Sequence, residues 1–284
     1  MRIKLIVTSA LVLVLTACGG GEGDGLASAL KLNDDPASIL LMVRDEGGFV
    51  PPDFQVRQGP RLILLRDGTL ITPGAVPAIY PGPMVTHYQR VLVDEETLLF
   101  VMEELDSLGF TEIEAEINNE AAEFIADAST TVVTFYNQDG THRFGVYGLG
   151  LGDLAPGSEF DDTRVPQLAN LVAQIENAGF STAGGLYEPD SIQVLAGMNE
   201  FLSDPAFANS RPWPLSVRYE EMAESGLPGW RCASFQGDEA TTLMAEFNQA
   251  NQETTWDDGS TAYSMAVRPL FPGEEACAHL MPAA

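Results

Sequence analysis

Thr131-Val132-Val133-Thr134-Phe135-Tyr136-Asn137-Gln138-Asp139-Gly140-Thr141-His142-Arg143-Phe144-Gly145-Val146-Tyr147 reads as two strands about a tight turn. β-Branched and aromatic residues flank Asp139-Gly140, and the glycine supplies the positive φ that hairpin turns require. The same grammar occurs twice more. Leu62-Ile63-Leu64-Leu65 meets Thr69-Leu70-Ile71 through Asp67-Gly68, and Thr254-Thr255-Trp256 meets residues 261–267 through Asp258-Gly259. Three such units predict antiparallel sheet.

The helices follow a second grammar. Asp94-Glu95-Glu96-Thr97 opens one, its acids matching the positive end of the helix dipole. Leu98, Val101, Met102, Leu105 and Leu108 then recur at helical spacing. Gly109 predicts a left-handed stop on which Phe110 folds back. After the second hairpin, Asp161-Asp162-Thr163 opens another helix with the stripe Leu168, Leu171, Val172, Ile175 and Ala178, and Gly179-Phe180 predicts the same stop. A third runs from about Asp238 to Asn251 on Ala240, Leu243, Met244, Phe247 and Ala250. Each stripe must be buried, most simply on a sheet face. The expectation is an α+β fold: mostly antiparallel sheet built of hairpins, with helices packed on one face. The hairpin-then-helix order recurs twice and admits two similar subdomains.

The N-terminus carries an address. Arg2 and Lys4 precede the apolar run Leu5 to Leu15, which is too short for a stable bilayer span and has signal-peptide proportions. Leu15-Thr16-Ala17-Cys18 follows. This resembles the lipobox of bacterial lipoproteins, in which diacylglycerol is joined to the cysteine through a thioether before cleavage in front of it. The resemblance implies a signal peptide over residues 1–17 and a lipidated Cys18. Two or three acyl chains give stable attachment where one is marginal. Gly19-Gly20-Gly21-Glu22-Gly23-Asp24-Gly25 then reads as the start of a flexible tether over 18–36, with a coil dimension of about 23 Å. Beyond it, an α+β domain over 37–184 and a disulfide-containing α+β region over 185–284 are expected, divided within 181–190 at Gly184-Gly185 and Pro189.

Charge narrows the partners. The chain has 14 basic and 41 acidic residues, a net −27, and loss of Arg2 and Lys4 with the leader takes it to about −29. Such a surface repels phosphate backbones, so no nucleic-acid partner is expected. It also repels anionic lipid, so the membrane is engaged through the anchor only. The acids are scattered and lack calcium-loop spacing, which favours a solvated surface over a calcium module. With Cys18 assigned to lipid, Cys232 and Cys277 remain. An even pair in an oxidising compartment predicts a disulfide, worth about 4 kcal/mol for a loop of about 45 residues. The alternatives are two thiols or a metal pair. His279 is the histidine near both, and a Cys/Cys/His set still lacks a fourth zinc ligand.

Catalytic patterns fail in detail. Gly179-Phe180-Ser181-Thr182-Ala183 misses the last glycine of a nucleophile elbow and follows a helix, not a strand. Ser28-Ala29-Leu30-Lys31 matches S-x-x-K, without K-T-G or S-D-N downstream. His87, His142 and His279 share no helix and no metal-site spacing. The acid pairs Glu95/Glu96, Glu103/Glu104, Asp161/Asp162 and Glu274/Glu275 could suggest glycosidase carboxylates, though helix starts and exposed helix faces account for two of them. No catalytic, metal or cofactor residue is assigned. Two rigid loops stand out, Gly47-Gly48-Phe49-Val50-Pro51-Pro52 and Tyr80-Pro81-Gly82-Pro83. Phe49, Tyr80 and Trp256 are the candidate ligand-binding residues.

Past Cys18 the chain resembles a family of exported Gram-positive lipoproteins with no assigned activity. The matching stretches are those two loops, Asp67-Gly68-Thr69-Leu70-Ile71, Thr255-Trp256, Arg268-Pro269-Leu270-Phe271-Pro272 and Cys277. The resemblance implies an extracytoplasmic location and Cys232–Cys277 pairing, and carries no catalytic residue. The expected function is a lipid-anchored extracytoplasmic lipoprotein, non-enzymatic, binding a small ligand or a cell-envelope protein or serving the envelope structurally. The alternative is an envelope hydrolase whose site assembles from distant residues.

Overall fold

The computed structural model describes residues 21–49, 57–75, 77–111, 115–117, 119, 122, 125–151, 163–198 and 209–277. Residues 1–20 with Cys18, Val50-Pro51-Pro52, Asp161-Asp162 and His279 lie outside the described residues. The fold is α+β, with two mostly antiparallel sheets.

The first sheet comprises β1 (Ile39–Glu46), β2 (Leu62–Leu65), β3 (Thr69–Pro73), β4 (Tyr88–Leu92), β5 (Ala115–Ile117), β6 (Thr130–Asn137), β7 (Gly140–Tyr147) and β8 (Gly185–Leu186). Their order is β5-β7-β6-β1-β2-β3-β4-β8, antiparallel except for β5 against β7. Both expected hairpins form. At β2–β3, Gly68 takes φ +82° and donates to the Leu65 carbonyl, while the Asp67 carboxylate accepts from the Thr69 amide.

Alternation sorts this sheet's side chains into two faces. Leu41, Val43, Leu62, Leu64, Leu70, Val133, Phe135 and Phe144 meet the helices, and Met42, Ile63, Ile71 and Tyr88 point the other way. Helix α1 (Gly21–Ala29), α2 (Glu95–Ser107) and α3 (Arg164–Ser181) lie on the first face. Helix α2 starts as expected, with Asp94 accepting from the Thr97 amide at 2.8 Å. It also stops as expected. Gly109 takes φ +67°, the Phe110 amide returns to the Leu105 carbonyl, and the ring packs 4.1 Å from Phe144.

Helix α3 corrects the second stop. It runs through Gly179-Phe180 to Ser181, and Phe180 is exposed. Gly179 serves packing instead: a Cβ there would stand 3.0 Å from Leu70 Cδ2 and 3.3 Å from Thr72 Cγ2, so the helix settles directly on β3. The tether is also corrected. Residues 21–29 are helical, and Leu30 and Leu32 are buried in the first core. Asn137 and Gln138 side chains donate to the Leu30 and Leu32 carbonyls, stitching the segment to the end of β6. Buried leucines outweigh the glycine-rich composition that precedes them.

The second sheet comprises β9 (Ser191–Met198), β10 (Asn209–Pro212), β11 (Ala223–Glu224), β12 (Trp230–Gln236), β13 (Thr254–Asp257) and β14 (Ala262–Pro269), in the order β10-β13-β14-β9-β12-β11. The third hairpin forms as β13–β14. Helix α4 (Gly237–Phe247) is shorter than expected and covers one face through Ala240, Leu243 and Phe247. The Cys232–Cys277 disulfide forms on the opposite face with Cα atoms 5.7 Å apart, beside Leu195, Leu227 and Ala266. The chain passes from one sheet to the other at 187–190, and the two hairpin-then-helix units lie in the same sheet. No helix among the described residues is long and apolar enough to cross a membrane.

Candidate functional site

Strand direction decides where the two Pro-aromatic loops go. Val43 pairs with Leu62, Pro73 with Tyr88, and Glu46 with Thr130. The ends of β1 and β3 and the starts of β2, β4 and β6 therefore share one end of the first sheet. The loop after β1 and the loop between β3 and β4 both emerge there, two strand spacings apart, or about 10 Å at their roots. Phe49 is 86% exposed, Tyr80 67%, and Ile79 is exposed beside it.

The β3–β4 loop docks on the second sheet's turn at 250–253. Pro83 bridges Asn251, the Met84 amide donates to the Ala250 carbonyl, and the Gln252 amide donates to the Gly82 carbonyl. Met84 and Val85 are buried in the second core, and the Tyr80 hydroxyl donates to Glu253 at 3.2 Å. From the other loop, Arg57 reaches the Met265 carbonyl on β14. Between these contacts lies a cleft of about 230 Å³. Gln58, Gly59, Pro60 and Arg61 form one wall, Pro83, Met84 and Thr86 another, with Asp45, Tyr88 and Gln252 between them.

Charge in the cleft is compensated. Arg61 donates through Nε and Nη2 to Glu176, at 3.0 and 2.7 Å, and its Nη1 lies 3.6 Å from Asp45. Asp45 also accepts from Thr131 Oγ1 at 2.7 Å. Burial pushes the Tyr88 hydroxyl up to about 12, with the Arg268 and Arg44 charges pulling weakly the other way, so the phenol stays neutral at physiological pH.

Behind Tyr88 the chain's last described stretch closes the seam. Phe271 packs edge-on to Tyr88 at 4.6 Å and stacks on Tyr187 at 5.7 Å. Glu274 accepts from Arg44 on Oε1, and from Arg268 (2.7 Å) and the Phe271 amide (3.0 Å) on Oε2. Burial raises its affinity for a proton, and the adjacent Arg268 and Arg44 guanidiniums more than offset this, holding its carboxyl below the usual range. Tyr136 and Tyr187 alongside are pushed up by burial.

Two larger depressions, of about 750 Å³ beside Lys31 and about 740 Å³ between α2 and α3, are surface grooves that draw on neither loop nor the second sheet. Trp256 is corrected: it is wholly buried, edge-on to Phe247 at 5.4 Å, and belongs to the core. His87 is exposed beside β4, while His142 is half-buried on β7, 3.2 Å from Asn137 Oδ1. Five strand spacings, about 24 Å, separate the two strands, so these histidines do not converge. No group of three His, Cys, Asp or Glu side chains stands at metal-binding distance among the described residues.

The Arg44–Glu274–Arg268 cluster has a sequence signature that an acid-pair reading passes over. Arg268 interrupts the apolar strand Met265-Ala266-Val267, where an arginine must find a carboxylate. Compared with protein-family models, curated proteins and solved structures, the chain matches none.

Proposed function

We propose that this chain is an extracytoplasmic lipoprotein, held to the membrane through Cys18, that binds a small polar ligand without chemistry in the cleft between its two sheets. The observation that carries the binding reading is convergence: the loop after β1 and the β3–β4 loop rise from one sheet end, and residues 57–61 and 83–86 line a cleft that Gln252 of the second half completes. Arg2, Lys4, the apolar run and Leu15-Thr16-Ala17-Cys18 support the location, and the Cys232–Cys277 disulfide suits an oxidising compartment.

Size and charge narrow the ligand. A volume of about 230 Å³ falls below the range of about 300–1,000 Å³ for drug-sized ligands and equals about eight waters. The guanidinium of Arg61 is already met by two carboxylates, so the cleft suits an uncharged or zwitterionic molecule of amino-acid or monosaccharide size over an anion.

A thermal-shift screen of amino acids, dipeptides and monosaccharides tests this. At least one should raise the Tm of the wild-type protein and leave a cleft-filling Thr86→Tyr variant unmoved. No shift with any compound, or equal shifts in both proteins, refutes the cleft as the site.

A further inference from the structure

The stretch 270–277 holds the two sheets together at regular intervals. Leu270 donates its amide to the Ser191 carbonyl as β14 ends. Phe271 enters the first sheet's outer face between Tyr88 and Tyr187. Three residues on, Glu274 joins Arg44 of the first sheet to Arg268 of the second. After three more, Cys277 returns to the second sheet, covalently to Cys232 and by its amide to Gln193 Oε1 at 2.8 Å. The cleft loop is moulded on this strap: a Cβ on Gly59 would stand 2.2 Å from Tyr88 Oη and 2.9 Å from Phe271 Cε2.

We propose that the strap is a redox-sensitive clasp: reduction of Cys232–Cys277 frees its far end, and the loss of order runs back through Glu274 and Phe271 to the cleft wall at 57–61. The consequence for ligand binding rests on the cleft reading above, whereas the mechanical coupling does not. The reductant is a small dithiol. Its thiolate attacks the sulfur of Cys277, the more exposed partner, the S–S bond breaks, and Cys232 leaves as a thiolate that takes up a proton. The reagent's second thiol then displaces Cys277 as a thiol and closes to a disulfide, so two electrons and two protons pass to the protein.

The coupling is sequential because the three ties differ in kind. The bond at Cys277 is covalent and fixes the strap's end. The ion cluster at Glu274 needs that end in place to keep both guanidiniums within reach. Phe271 is a single ring, seated by the turn that the Glu274 carboxylate closes on its amide.

Hydrogen exchange by mass spectrometry on the full chain, without ligand, tests the clasp. After dithiothreitol, exchange should quicken at least tenfold in 268–277 and 57–61, while 98–108 and 165–175 of the first core stay protected. A Cys277→Ser variant should show the same pattern without reductant, and dithiothreitol should add nothing to it. Faster exchange confined to 275–277 and the β11–β12 pair, or a uniform rise across the whole chain, overturns the clasp. A cleft that captures nothing in the thermal-shift screen leaves this result standing, so the two readings fail separately.

Discussion

Removing the Glu274 carboxylate should cost this protein a large part of its stability. Glu274 and Arg268 side chains are 8% and 7% exposed, and Glu274 accepts three donors: both arginines and the Phe271 amide. In Glu274→Ala the Arg268 guanidinium is left buried and uncompensated, at a cost of about 3–5 kcal/mol. Replacing both charges removes that penalty, so Glu274→Ala/Arg268→Met should be less destabilised than the single glutamate variant. Glu275→Ala, one residue along and exposed, should fall within about 0.5 kcal/mol of wild type. Urea unfolding followed by circular dichroism gives all four values from one set of midpoints. The pH dependence follows from the same cluster. The folded carboxyl sits below its ordinary range, so its contribution is present above the unfolded value and lost as pH falls through the folded one. A Glu274→Ala loss under about 1 kcal/mol, or a double variant worse than the single, would refute the buried-pair reasoning.

Further outcomes follow from other contacts. Tyr88, raised from 10.0 to about 12, behaves oppositely to Glu274. Its contribution is complete below pH 10 and disappears as pH climbs through 12, a loss of about 2–3 kcal/mol that Tyr88→Phe should lack in alkaline unfolding titrations. Gly179→Val should destabilise by about 1–3 kcal/mol in thermal unfolding, because its added atoms meet Leu70 and Thr72. Asp94→Ala should lower the Tm by removing the cap on the Thr97 amide, measurable in the same melts.

The elements that depend on short-range chemistry were legible from residues alone. Asp-Gly between apolar, β-branched or aromatic runs specifies each hairpin, and Asp94 with Gly109 brackets α2 because cap and stop are local. Gly179 shows where that legibility ends. A glycine before an aromatic carries the same signal whether it turns the chain or lets a helix touch a strand, and only the position of Leu70 and Thr72 decides. Trp256 beside an Asp-Gly turn looks like a surface ring. The strand's alternation with Thr254 turns it inward, and Phe247, on a helix, completes its environment. The glycine-rich stretch before Leu26 hid Leu30 and Leu32 as core residues and Leu26 as a residue packed against them. The seam was the least legible part. Arg44 and Glu274 stand 230 positions apart, and no periodicity links a strand end to a distant strap.

Of the three proposed binding residues, Phe49 and Tyr80 are exposed on the two loops that leave one end of the first sheet, and proline and glycine spacing marked both loops. The rest of the cleft was not legible, because Gln252 joins Tyr88 and Gly59 only through the docking of one sheet's loop on the other sheet's turn.

Cys18 is where the account is most exposed. Cells expressing the full chain and its Cys18→Ser variant, fed radiolabelled palmitate, provide the direct measurement. Label in the wild-type band and none in the variant is the result expected for a thioether-anchored lipoprotein. Equal label in both, or none in either, would contradict the anchor and the compartment inferred from it.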